Sequence, residues 1–456
     1  MSFEVLPFKG RVTDLEWKMF AYYLDLALRS LKRNKALTAL MILTIGFGVA
    51  ASMTTWSVFR AVSGDPIPWK SSRLYVPQID AWGPAVQKNN PDPDKGPPDA
   101  LTYGDAVGLM RDHRAKLQSA MYMISPSVIP AVPGEHPINT MGHAVFSEFF
   151  PMVDVPFKYG SGWSAADDEH RAQVAVISSE INRKVFGGGD NVGKTINIDG
   201  HDYRVVGVMN DWNPQPRFYD VVNTGGFLQQ DEGVLLPFNT AIAAGISNDG
   251  NTNCYEAPKE TGFVGLQHSS CIWNEYMVQL DGPADAQRFK DYLEGFAREH
   301  HPGWAPNVRL HGLMAWLDHE HVVPPDTRIS LYVALGLLLV CLVNTAGLLL
   351  AKFLRRSSEI GVRRALGASR REIYTQFLIE AGMVGLAGGV LGLVLTGVGI
   401  AGVGWVLPHD IAALARVDVS LFITTLVVAI VATMLAGLYP TLRAAAVQPA
   451  WQLKSN

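Results

Sequence analysis

Apolar residues are concentrated in four long stretches of this chain, and the remainder of the sequence is more polar. Each stretch reaches the roughly 20 residues that a helix needs to cross a bilayer, with no charge at its middle. Because a segment in lipid must satisfy its own backbone hydrogen bonds, each stretch is predicted to be helical. The predicted membrane helices cover residues 36–61, 328–354, 373–407 and 419–441.

Residues 62–327 lie between the first two apolar stretches. Their apolar residues occur in short segments with the spacing of strands or of helices, as in a folded α+β domain. A strand running into a helix is predicted at "AQVAVISSE", and another strand at "NEYMVQL". The stretch "KTINIDGHDYRVVGVM" alternates around an Asp-Gly pair, which is a strong β-hairpin signal. Helical periodicity in "PADAQRFKDYLEGFAREH" predicts a helix. The Pro- and Asp-rich residues 77–100 predict an exposed loop.

Lysine and arginine are concentrated at one set of helix flanks. Residues 1–35 and 352–371 carry seven of these residues each, whereas residues 408–418 carry only Arg416. Since flanks rich in Lys and Arg stay in the cytoplasm, both termini are predicted to lie inside the cell. The domain at 62–327 is then predicted to lie outside the cytoplasm.

The predicted fold class is an α-helical membrane protein with four transmembrane helices and a large α+β extracytoplasmic domain inserted between helices 1 and 2. The first part comprises a cytoplasmic amphipathic segment lying on the inner membrane surface (1–35), helix 1 (36–61) and the inserted domain (62–327). The second part comprises helix 2 (328–354), a cytoplasmic loop (355–372), helix 3 (373–407), a short outer loop (408–418), helix 4 (419–441) and a cytoplasmic tail (442–456).

Composition narrows the classes of function. The chain has 456 residues and a net charge of −4, so no basic surface indicates nucleic acid. Its three cysteines are too few for a disulfide scaffold or a four-cysteine zinc site. Cys254 and Cys271 share the predicted oxidising compartment and are candidates for a disulfide, whereas Cys341 is predicted to pack within a membrane helix.

The stretch "GGGDNVGKT", residues 187–195, fits the pattern of a nucleotide-binding loop from Gly188 to Thr195. Such a loop follows a buried strand and opens a helix, whose N-terminus then holds the phosphates. Here a helix-like segment comes before the glycines and a predicted hairpin comes after them. Gly187 to Gly189 are therefore interpreted as a helix end and Gly193 as part of a tight turn, without nucleotide binding.

Residues 355–372 predict a short basic helix followed by a turn into the third membrane helix. Ser357 and Ser358 are suited to cap the short helix, and Gly367 is suited to stop it in a left-handed conformation. Ser369 and Glu372 form a predicted capping box. The segment is interpreted either as an interfacial helix with ordinary cytoplasmic arginines or as a lever through which a partner moves the membrane helices.

Polar and glycine positions within the predicted membrane helices indicate packing. Glu380 lies about two turns after Glu372, roughly 12 Å further along the helix, where a carboxylate needs a partner or a headgroup. Asn344 is predicted to hydrogen-bond across helices, and overlapping G-x-x-x-G pairs predict close helix contact. These glycines are Gly385, Gly388, Gly389 and Gly392.

A cluster of histidines closes the inserted domain in the stretch "HGLMAWLDHEH". Such residues are able to bind a metal ion. His319 and His321 would face different sides of a helix, so the stretch is interpreted as a solvated stalk and no metal site is expected.

The stretch "EIGVRRALGASRREI" resembles the signature of the FtsX/MacB-type permeases of ABC transporters. Three further stretches resemble other parts of that family: "DLALRSLKRNKALTALMILTIGFGVAA", "DNVGKTINIDGHDYRVVGVM" and "AGLYPTLRAAAVQPAWQLK". The resemblance implies a bacterial inner-membrane permease that forms a dimer, has no cofactor and does not hydrolyse ATP itself. MacB carries a fused ATPase before its first helix. Only about 35 residues precede that helix here, so the ATPase is expected on another chain.

The resemblance also implies roles for individual residues. The ATPase would dock under the short helix at 358–366, and movement would pass to the periplasmic domain. Coupling roles are implied for Glu359, Arg363, Arg364 and Gly367, and for Ser369, Glu372 and Glu380 at the start of the third membrane helix. A second identical or related permease, a periplasmic adaptor and an outer-membrane channel are the further partners considered.

Three hypotheses of function follow from the sequence. The first is a permease subunit that exports a hydrophobic, peptide or lipid-like substrate. The second is an FtsX-like regulator whose periplasmic domain activates a partner such as a wall hydrolase. The third, an ATPase using Gly188 to Thr195, is disfavoured by the order of elements around the motif.

Overall fold

The chain divides into two compact units, which are described separately. A helical unit comprises Met1–Ala61 and Pro324–Asn456, and an inserted domain comprises Val62–Val323. The structure, a computed structural model, describes residues 10–84, 96–130, 136–226, 231–323, 325–406 and 419–445. The predicted outer loop at 408–418 and most of the predicted tail at 442–456 lie outside these residues.

The helices of the described residues are numbered in chain order. The first six are α1 (Gly10–Arg33), α2 (Lys35–Ser63), α3 (Tyr103–Asp112), α4 (Phe149–Val153), α5 (Ala165–Glu169) and α6 (Ser179–Phe186). The next five are α7 (Val221–Thr224), α8 (Phe238–Ala244), α9 (Gly262–Gln267), α10 (Pro283–His300) and α11 (Leu313–His319). The last four are α12 (Pro325–Leu354), α13 (Ser357–Ala365), α14 (Arg370–Val406) and α15 (Val419–Ala445).

Four helices of the helical unit are long and apolar enough to cross a membrane, and they coincide with the four predicted stretches. The candidate spans are Lys35–Arg60 in α2, Asp326–Leu354 in α12, Arg370–Gly402 in α14 and Val419–Ala444 in α15. Helix α14 begins at Arg370, because the backbone N–H groups of Ser369 and Glu372 are satisfied by each other's side chains.

The helical unit has its own apolar core, built from one side of each long helix. Met41, Ile45 and Val49 of α2 belong to this core together with Phe353 of α12 and Phe377 of α14. The outward faces are also apolar, as Val340 and Val343 of α12 are both exposed. Helices that are apolar all round are typical of a membrane environment, where lipid tails cover the outer face.

The strands of the inserted domain form a mixed sheet. The strands before residue 160 are β1 (Leu74–Ile79), β2 (Leu101–Thr102), β3 (Leu117–Ile124), β4 (Ser127–Ile129), β5 (Ile138–Asn139), β6 (Gly142–Val145) and β7 (Phe157–Gly160). The later strands are β8 (Val174–Ile177), β9 (Thr195–Ile198), β10 (His201–Met209), β11 (Val234–Pro237), β12 (Ile272–Gln279) and β13 (Val308–Gly312). Their order is β13-β1-β12-β3-β6-β11-β8-β10-β9-β4-β5, with β2 beside β12 and β7 beside β10.

Both faces of this sheet are covered, because successive strand residues point to opposite sides. In β3, Tyr122 belongs to a core with Trp273 and Phe238. Its neighbour Met121 belongs to a second core, with Phe149. The sheet is therefore buried on two sides, and charged residues within its strands need partners from the same domain.

The predicted order around the "GKT" stretch is confirmed. Helix α6 ends at Gly187, which has a φ of +80° and caps the helix in the left-handed conformation. Thr195 begins β9, which pairs with β10 through the predicted turn at Asp199 and Gly200. The element that follows the glycines is strand β9 and not a helix, so the stretch lacks the helix N-terminus of a phosphate-binding loop.

Two loop predictions in the inserted domain are wrong. The predicted exposed loop at 77–100 begins inside β1, where Gln78 is buried, and residues 85–95 lie outside the described residues. The predicted solvated stalk is instead β13 followed by α11, whose Trp316 and Leu317 are buried in the domain core. The prediction was based on the histidines and acidic residues of this stretch and gave too little weight to Trp316 and Leu317.

Cysteine pairing and packing are both visible in the structure. Cys254 and Cys271 form a disulfide across a sequence separation of 17 residues. Cys271 is fully buried next to the start of β12, so the disulfide attaches the preceding loop to the sheet. Cys341 lies in α12, and a Cβ added to Gly48 of α2 would come within 2.9 Å of it, which places Cys341 at a helix contact.

Candidate functional site

The short helix α13 ends as the sequence predicts, but its start differs: its N-cap is Arg356, which makes no side-chain cap hydrogen bond. The predicted cap by Ser357 and Ser358 is therefore wrong, because both serines already lie in the first turn of the helix. Acidic Glu359 lies in its first turn, and Arg363 and Arg364 lie in its last turn, each favourable to the helix dipole. Gly367 follows with a φ of +102°, a conformation that favours glycine, and the chain then enters α14. A short helix that ends at a left-handed glycine is therefore held between two long ones.

The apolar residues of α13 point in two directions. Ile360 is 4% exposed and belongs to the core of the helical unit. Val362 is 55% exposed and Leu366, just after the helix, is 83% exposed. Since α13 lies outside the candidate membrane spans, these two side chains form an apolar surface that no lipid-spanning segment explains.

Glu380 of α14 is the centre of a buried ionic cluster, which we call the Glu380 cluster. Its carboxylate is fully buried and lies 2.6 Å from Lys352 Nζ of α12 and 3.2 Å from Arg356 Nη1. Ser30 Oγ of α1 donates a hydrogen bond to the same carboxylate. The cost of burying this charge is offset by two cations and a hydroxyl from other elements.

Arg356 connects this buried cluster to α13. Its guanidinium contacts both carboxylate oxygens of Glu359, from Nε at 3.2 Å and from Nη2 at 3.2 Å. The guanidinium also lies over the ring of Phe377. Because a planar guanidinium donates in several fixed directions, Arg356 joins two carboxylates in a defined geometry.

Glu359 receives two further arginines and so stays ionised. Arg363 Nη2 lies 2.8 Å from the carboxylate of Glu359 and Arg33 Nη1 lies 3.3 Å from it. Partial burial alone would raise the pKa of Glu359, but the hydrogen bonds and charge of Arg356, followed by the charges of Arg363 and Arg33, lower that pKa. Arg363 also donates to Gln376 of α14, at 3.0 Å.

The sequence singled out Glu359, Arg363 and Glu380 but missed the residues that join them. Ser30, Lys352, Arg356 and Gln376 were not candidates, although Lys352 and Arg356 were counted among the cytoplasmic cations. Their spacing of four residues, next to a membrane helix that carries a carboxylate, is the signal that was available. Arg364 is half-buried and Gly367 has open space around it.

The predicted glycine pairs contact two different helices of the same chain. A Cβ at Gly385 would lie 2.9 Å from Ala429 O of α15, and one at Gly389 would lie 2.9 Å from Ala429 Cβ. The alternate pair faces α2, where a Cβ at Gly388 would lie 2.7 Å from Ile45 and one at Gly392 would lie 3.1 Å from Val49. Helix α14 therefore sits between α15 and α2.

Asn344 does not take part in this packing. It lies on an exposed face of α12, and within the described residues its side chain makes no hydrogen bond to another helix. The α12 hydroxyl that is buried instead belongs to Thr345, which donates to the carbonyl of Cys341 in its own helix. The prediction of a hydrogen bond across helices is not met among the residues that the structure describes.

Comparison with protein families matches nearly the whole chain. Residues 38–296 match the MacB-like periplasmic core domain, and residues 331–449 match the FtsX-like permease C-terminal domain. The first match runs from α2 through most of the inserted domain to α10. The second begins in α12 and includes α13 together with Lys352, Arg356 and Glu380 of the Glu380 cluster.

Individual relatives agree with these matches at low identity. The chain is 23% identical over 409 residues to the macrolide export ATP-binding/permease protein MacB of Wolinella succinogenes, covering 86% of this chain and 55% of that protein. It is 24% identical to the pyoverdine export ATP-binding/permease protein PvdT of Pseudomonas syringae pv. syringae, and the match covers 79% of this chain and 49% of that protein. It is 25% identical to the uncharacterized ABC transporter permease YvrN of Bacillus subtilis, and the match covers 67% of this chain and 68% of that protein.

The chain thus spans about half the length of the first two relatives. Among solved structures, the periplasmic region of MacB from Actinobacillus actinomycetemcomitans aligns with 54% of this chain and 92% of that structure, at 14% identity and a TM-score of 0.34.

Proposed function

Because this chain belongs to the family of ABC transporter permeases that combine a MacB-like periplasmic core domain with an FtsX-like permease domain, we propose that it is a mechanical coupling subunit. A cytoplasmic ABC ATPase on a separate chain binds at α13 and supplies the energy of ATP hydrolysis. The membrane helices transmit the resulting movement to the inserted domain on the opposite side. The movement exports a hydrophobic, peptide or lipid-like substrate.

The observation that carries this proposal is the continuous ionic connection from α13 into the helical unit. Glu359 of α13 pairs with Arg356, and Arg356 pairs with Glu380 of α14. Lys352 of α12 and Ser30 of α1 reach the same Glu380 carboxylate. A force applied to α13 is therefore delivered to α1, α12 and α14 together, as a coupling element requires.

The exposed apolar surface of α13 supports an ATPase as the occupant. Val362 and Leu366 are exposed beside Arg363, so the surface combines apolar anchors with a cation at its edge. Exposed apolar side chains with a charged surround are typical of protein–protein contacts. The concentration of Lys and Arg at 352–371 supports a cytoplasmic location for α13, and hence the bacterial inner membrane as the site of action.

The proposal includes assembly with other chains. A second permease, identical or related, completes the membrane part, and a periplasmic adaptor with an outer-membrane channel continues the pathway. The substrate is left at the level of a chemical class, because relatives of nearly equal identity are named for macrolides and for pyoverdine.

Docking at α13 is tested by affinity purification of the full chain from native membranes, with the associated ABC ATPase identified by mass spectrometry and assayed for ATP hydrolysis. Val362→Asp places a charge on the docking surface, and we expect it to remove most of the associated ATPase. Val264→Asp is the matched control, because Val264 is 54% exposed but lies on α9 of the inserted domain. Equal recovery of ATPase with both variants would contradict docking at α13.

Coupling is tested separately from docking with Arg356→Gln, which removes the connection between Glu359 and Glu380. We expect the ATPase to remain bound, while the ATP-dependent change in hydrogen exchange of the inserted domain is lost. Wild-type exchange behaviour in Arg356→Gln would contradict transmission through the cluster. Under the alternative of an FtsX-like regulator, the chain would couple normally but would activate a periplasmic enzyme and confer no export.

A further inference from the structure

Two charged residues stand on the same apolar face of the inserted domain's sheet. His143 of β6 is paired with Met123 of β3, and Glu275 of β12 is paired with Met121 of the same strand. Both side chains are buried, with 0% exposure for His143 and 7% for Glu275. Asp220, at the start of α7, is also fully buried and completes a group of three potential metal ligands.

The surrounding residues hold each of the three side chains by only one of its polar atoms. Asn223 Nδ2 donates to Asp220 Oδ1 at 2.7 Å and to Glu275 Oε1 at 2.7 Å. Nδ1 of His143 lies 2.8 Å from the carboxylate of Glu232. The orientation of all three side chains is therefore set from the outside of the group.

The remaining atom of each side chain faces the interior of the group. Glu275 Oε2 is buried and, among the described residues, has no hydrogen-bond partner, whereas the buried His143 Nε2 and Asp220 Oδ2 face each other as an ion pair. Each residue offers one ligand atom, and the ligand atoms lie within 4.8 Å of one another. His143 Nε2 and Asp220 Oδ2 are 3.0 Å apart. A buried carboxylate oxygen without a partner is costly, and one that converges with a buried imidazole nitrogen and a second carboxylate indicates a ligand.

We propose that His143, Asp220 and Glu275 bind one divalent transition-metal cation of the Zn²⁺ class. An imidazole nitrogen with two carboxylate oxygens is a ligand set that suits Zn²⁺ or Mn²⁺. Ligand atoms of a tetrahedral Zn²⁺ site are roughly 3.3 Å apart, given metal–ligand bonds of about 2.0–2.1 Å. The three atoms reach this separation through small side-chain movements, without a change in the sheet.

Glu232 has the role of an outer carboxylate. Metal-binding histidines almost always donate their second ring N–H to a carboxylate or carbonyl, which orients the ring. Glu232 takes that position at Nδ1 of His143 and is itself held by the hydroxyl of Tyr219, which donates to Oε2 at 2.9 Å. The arrangement therefore has an outer layer of support as well as the three ligands.

The charges of the buried group also suit a divalent cation. Asp220, Glu232 and Glu275 supply three negative charges when all are ionised. Arg217, whose Nη1 lies 3.7 Å from Glu232, supplies one positive charge. With His143 neutral, as a metal ligand must be, a divalent cation balances the other two negative charges. A buried group with this balance avoids an uncompensated charge in the core.

A second group of metal-ligating side chains serves as the internal control. Asp99, His319 and Glu320 also bring their ligand atoms within 4.8 Å of one another, but all three are half-exposed. Substitution of His319 therefore removes a histidine of the same domain without changing the buried group.

The test uses the full chain purified in detergent, stripped with a chelator and then titrated with Zn²⁺ or Mn²⁺ against a chromophoric competitor. We expect one tightly bound ion per chain, counted by elemental mass spectrometry after gel filtration. Glu275→Gln and Asp220→Asn should each weaken binding at least 10-fold, and Glu232→Gln should weaken it about 10–100-fold through the orientation of His143. His319→Gln should retain the wild-type affinity.

Circular dichroism of each variant shows whether it remains folded, and Glu232→Gln provides a second measurement because it keeps all three ligands. Wild-type chain that binds neither ion, with the buried group acting only as a proton-neutralised ion pair, would overturn the proposal. Retention of the ion in both Glu275→Gln and Asp220→Asn, or its loss in His319→Gln alone, would also overturn it.

Discussion

Residues 187–193 of the inserted domain and residues 385–392 of α14 contain four glycines each, but the two regions use them differently. In the first region, all four glycines have positive φ, and an added Cβ would meet nothing within 4 Å. In the second, the glycines lie in a regular helix, and an added Cβ would meet α2 or α15 at 2.7–3.1 Å.

The difference shows that glycine is retained for two separate physical reasons. In the loop it is the backbone conformation that excludes most side chains, because left-handed φ values are costly for residues with a Cβ. In the helix it is the neighbouring helix that excludes them, because membrane helices gain stability from close approach. A substitution that satisfies one requirement does not satisfy the other.

Buried charge differs between the units in a similar way. In the helical unit, Glu380 is neutralised by Lys352 and Arg356, cations from outside its own helix. In the inserted domain, buried Asp105 is paired with His301 at 2.9 Å. The first contact joins a carboxylate to a lysine and an arginine, whereas the second contains a histidine, whose ordinary pKa lies near neutral pH.

The largest expected effect is in the helical unit. Glu380→Ala leaves Lys352, which is 4% exposed, without its carboxylate. Loss of one partner of a buried ion pair costs about 3–5 kcal/mol, because the other charge remains buried. We expect a large fall in the thermal unfolding midpoint of the full chain in detergent. Glu372→Ala, on the same helix but exposed, should cost only about 0.3–1.5 kcal/mol as a lost cap.

The double variant Glu380→Met with Lys352→Met tests whether the loss of stability arises from the unpaired charge of Lys352 or from the loss of the ion pair itself. If the cost arises from an unpaired cation, the double variant should recover part of the stability. A double variant as unstable as the sum of both single variants would contradict this account of the cluster.

The next effect tests the helix contact at Gly385. A valine there would press on the backbone of Ala429 and Ile430 in α15, at 2.9 and 3.0 Å. Overpacking of this kind costs about 1–3 kcal/mol. The measurement is the unfolding midpoint, compared with Gly397→Val, whose Cβ would meet nothing within 4 Å in the same helix. If both variants lowered the unfolding midpoint by a similar amount, the effect would come from the helix propensity of valine and not from the contact between α14 and α15.

A smaller effect is expected in the loop at Gly193, which has a φ of +89°. Gly193→Ala should cost about 1–2 kcal/mol through backbone strain alone, and Gly193→Asn should cost less because asparagine tolerates this conformation. Gly295→Ala, in α10 with open space and ordinary φ, is the control. If asparagine were no better than alanine, the conformational explanation would fail. At Gly385, by contrast, asparagine should be worse than alanine.

The smallest effect concerns pH. Burial alone would lower the pKa of His301, but the hydrogen bond and charge of Asp105 raise it above the ordinary value of 6.5. A raised pKa means that this stabilisation is fully present below pH 6.5 and is lost as pH rises through the folded-state pKa. The wild-type unfolding midpoint should therefore fall more than that of His301→Gln between pH 6 and pH 8.5.

Exposed His136 provides the control for this measurement. His136→Gln should keep the wild-type dependence on pH, because its side chain lies in solvent. Identical pH profiles for the wild type and His301→Gln would show that the Asp105 contact contributes nothing to stability in this range.

Local features of the fold were predictable because they depend on neighbouring residues. The long apolar stretches predict α2, α12, α14 and α15, and the Asp199–Gly200 pair predicts the β9–β10 hairpin. The capping box of Ser369 and Glu372 likewise depends on two residues three positions apart. The loop at 77–100 was misread because proline and aspartate also occur in and beside β1, where burial overrides local propensity.

The sequence by itself determined the number of candidate membrane helices, the insertion of an α+β domain after the first of them, and the turn chemistry between α13 and α14. Only the tertiary structure decided which cations neutralise Glu380, which helices the glycine pairs contact, and which face of α12 Asn344 occupies. It alone brought residues 143, 220, 232 and 275 together. The physical reason is that periodicity and capping act over a few residues, whereas contacts between distant residues depend on the path of the whole chain.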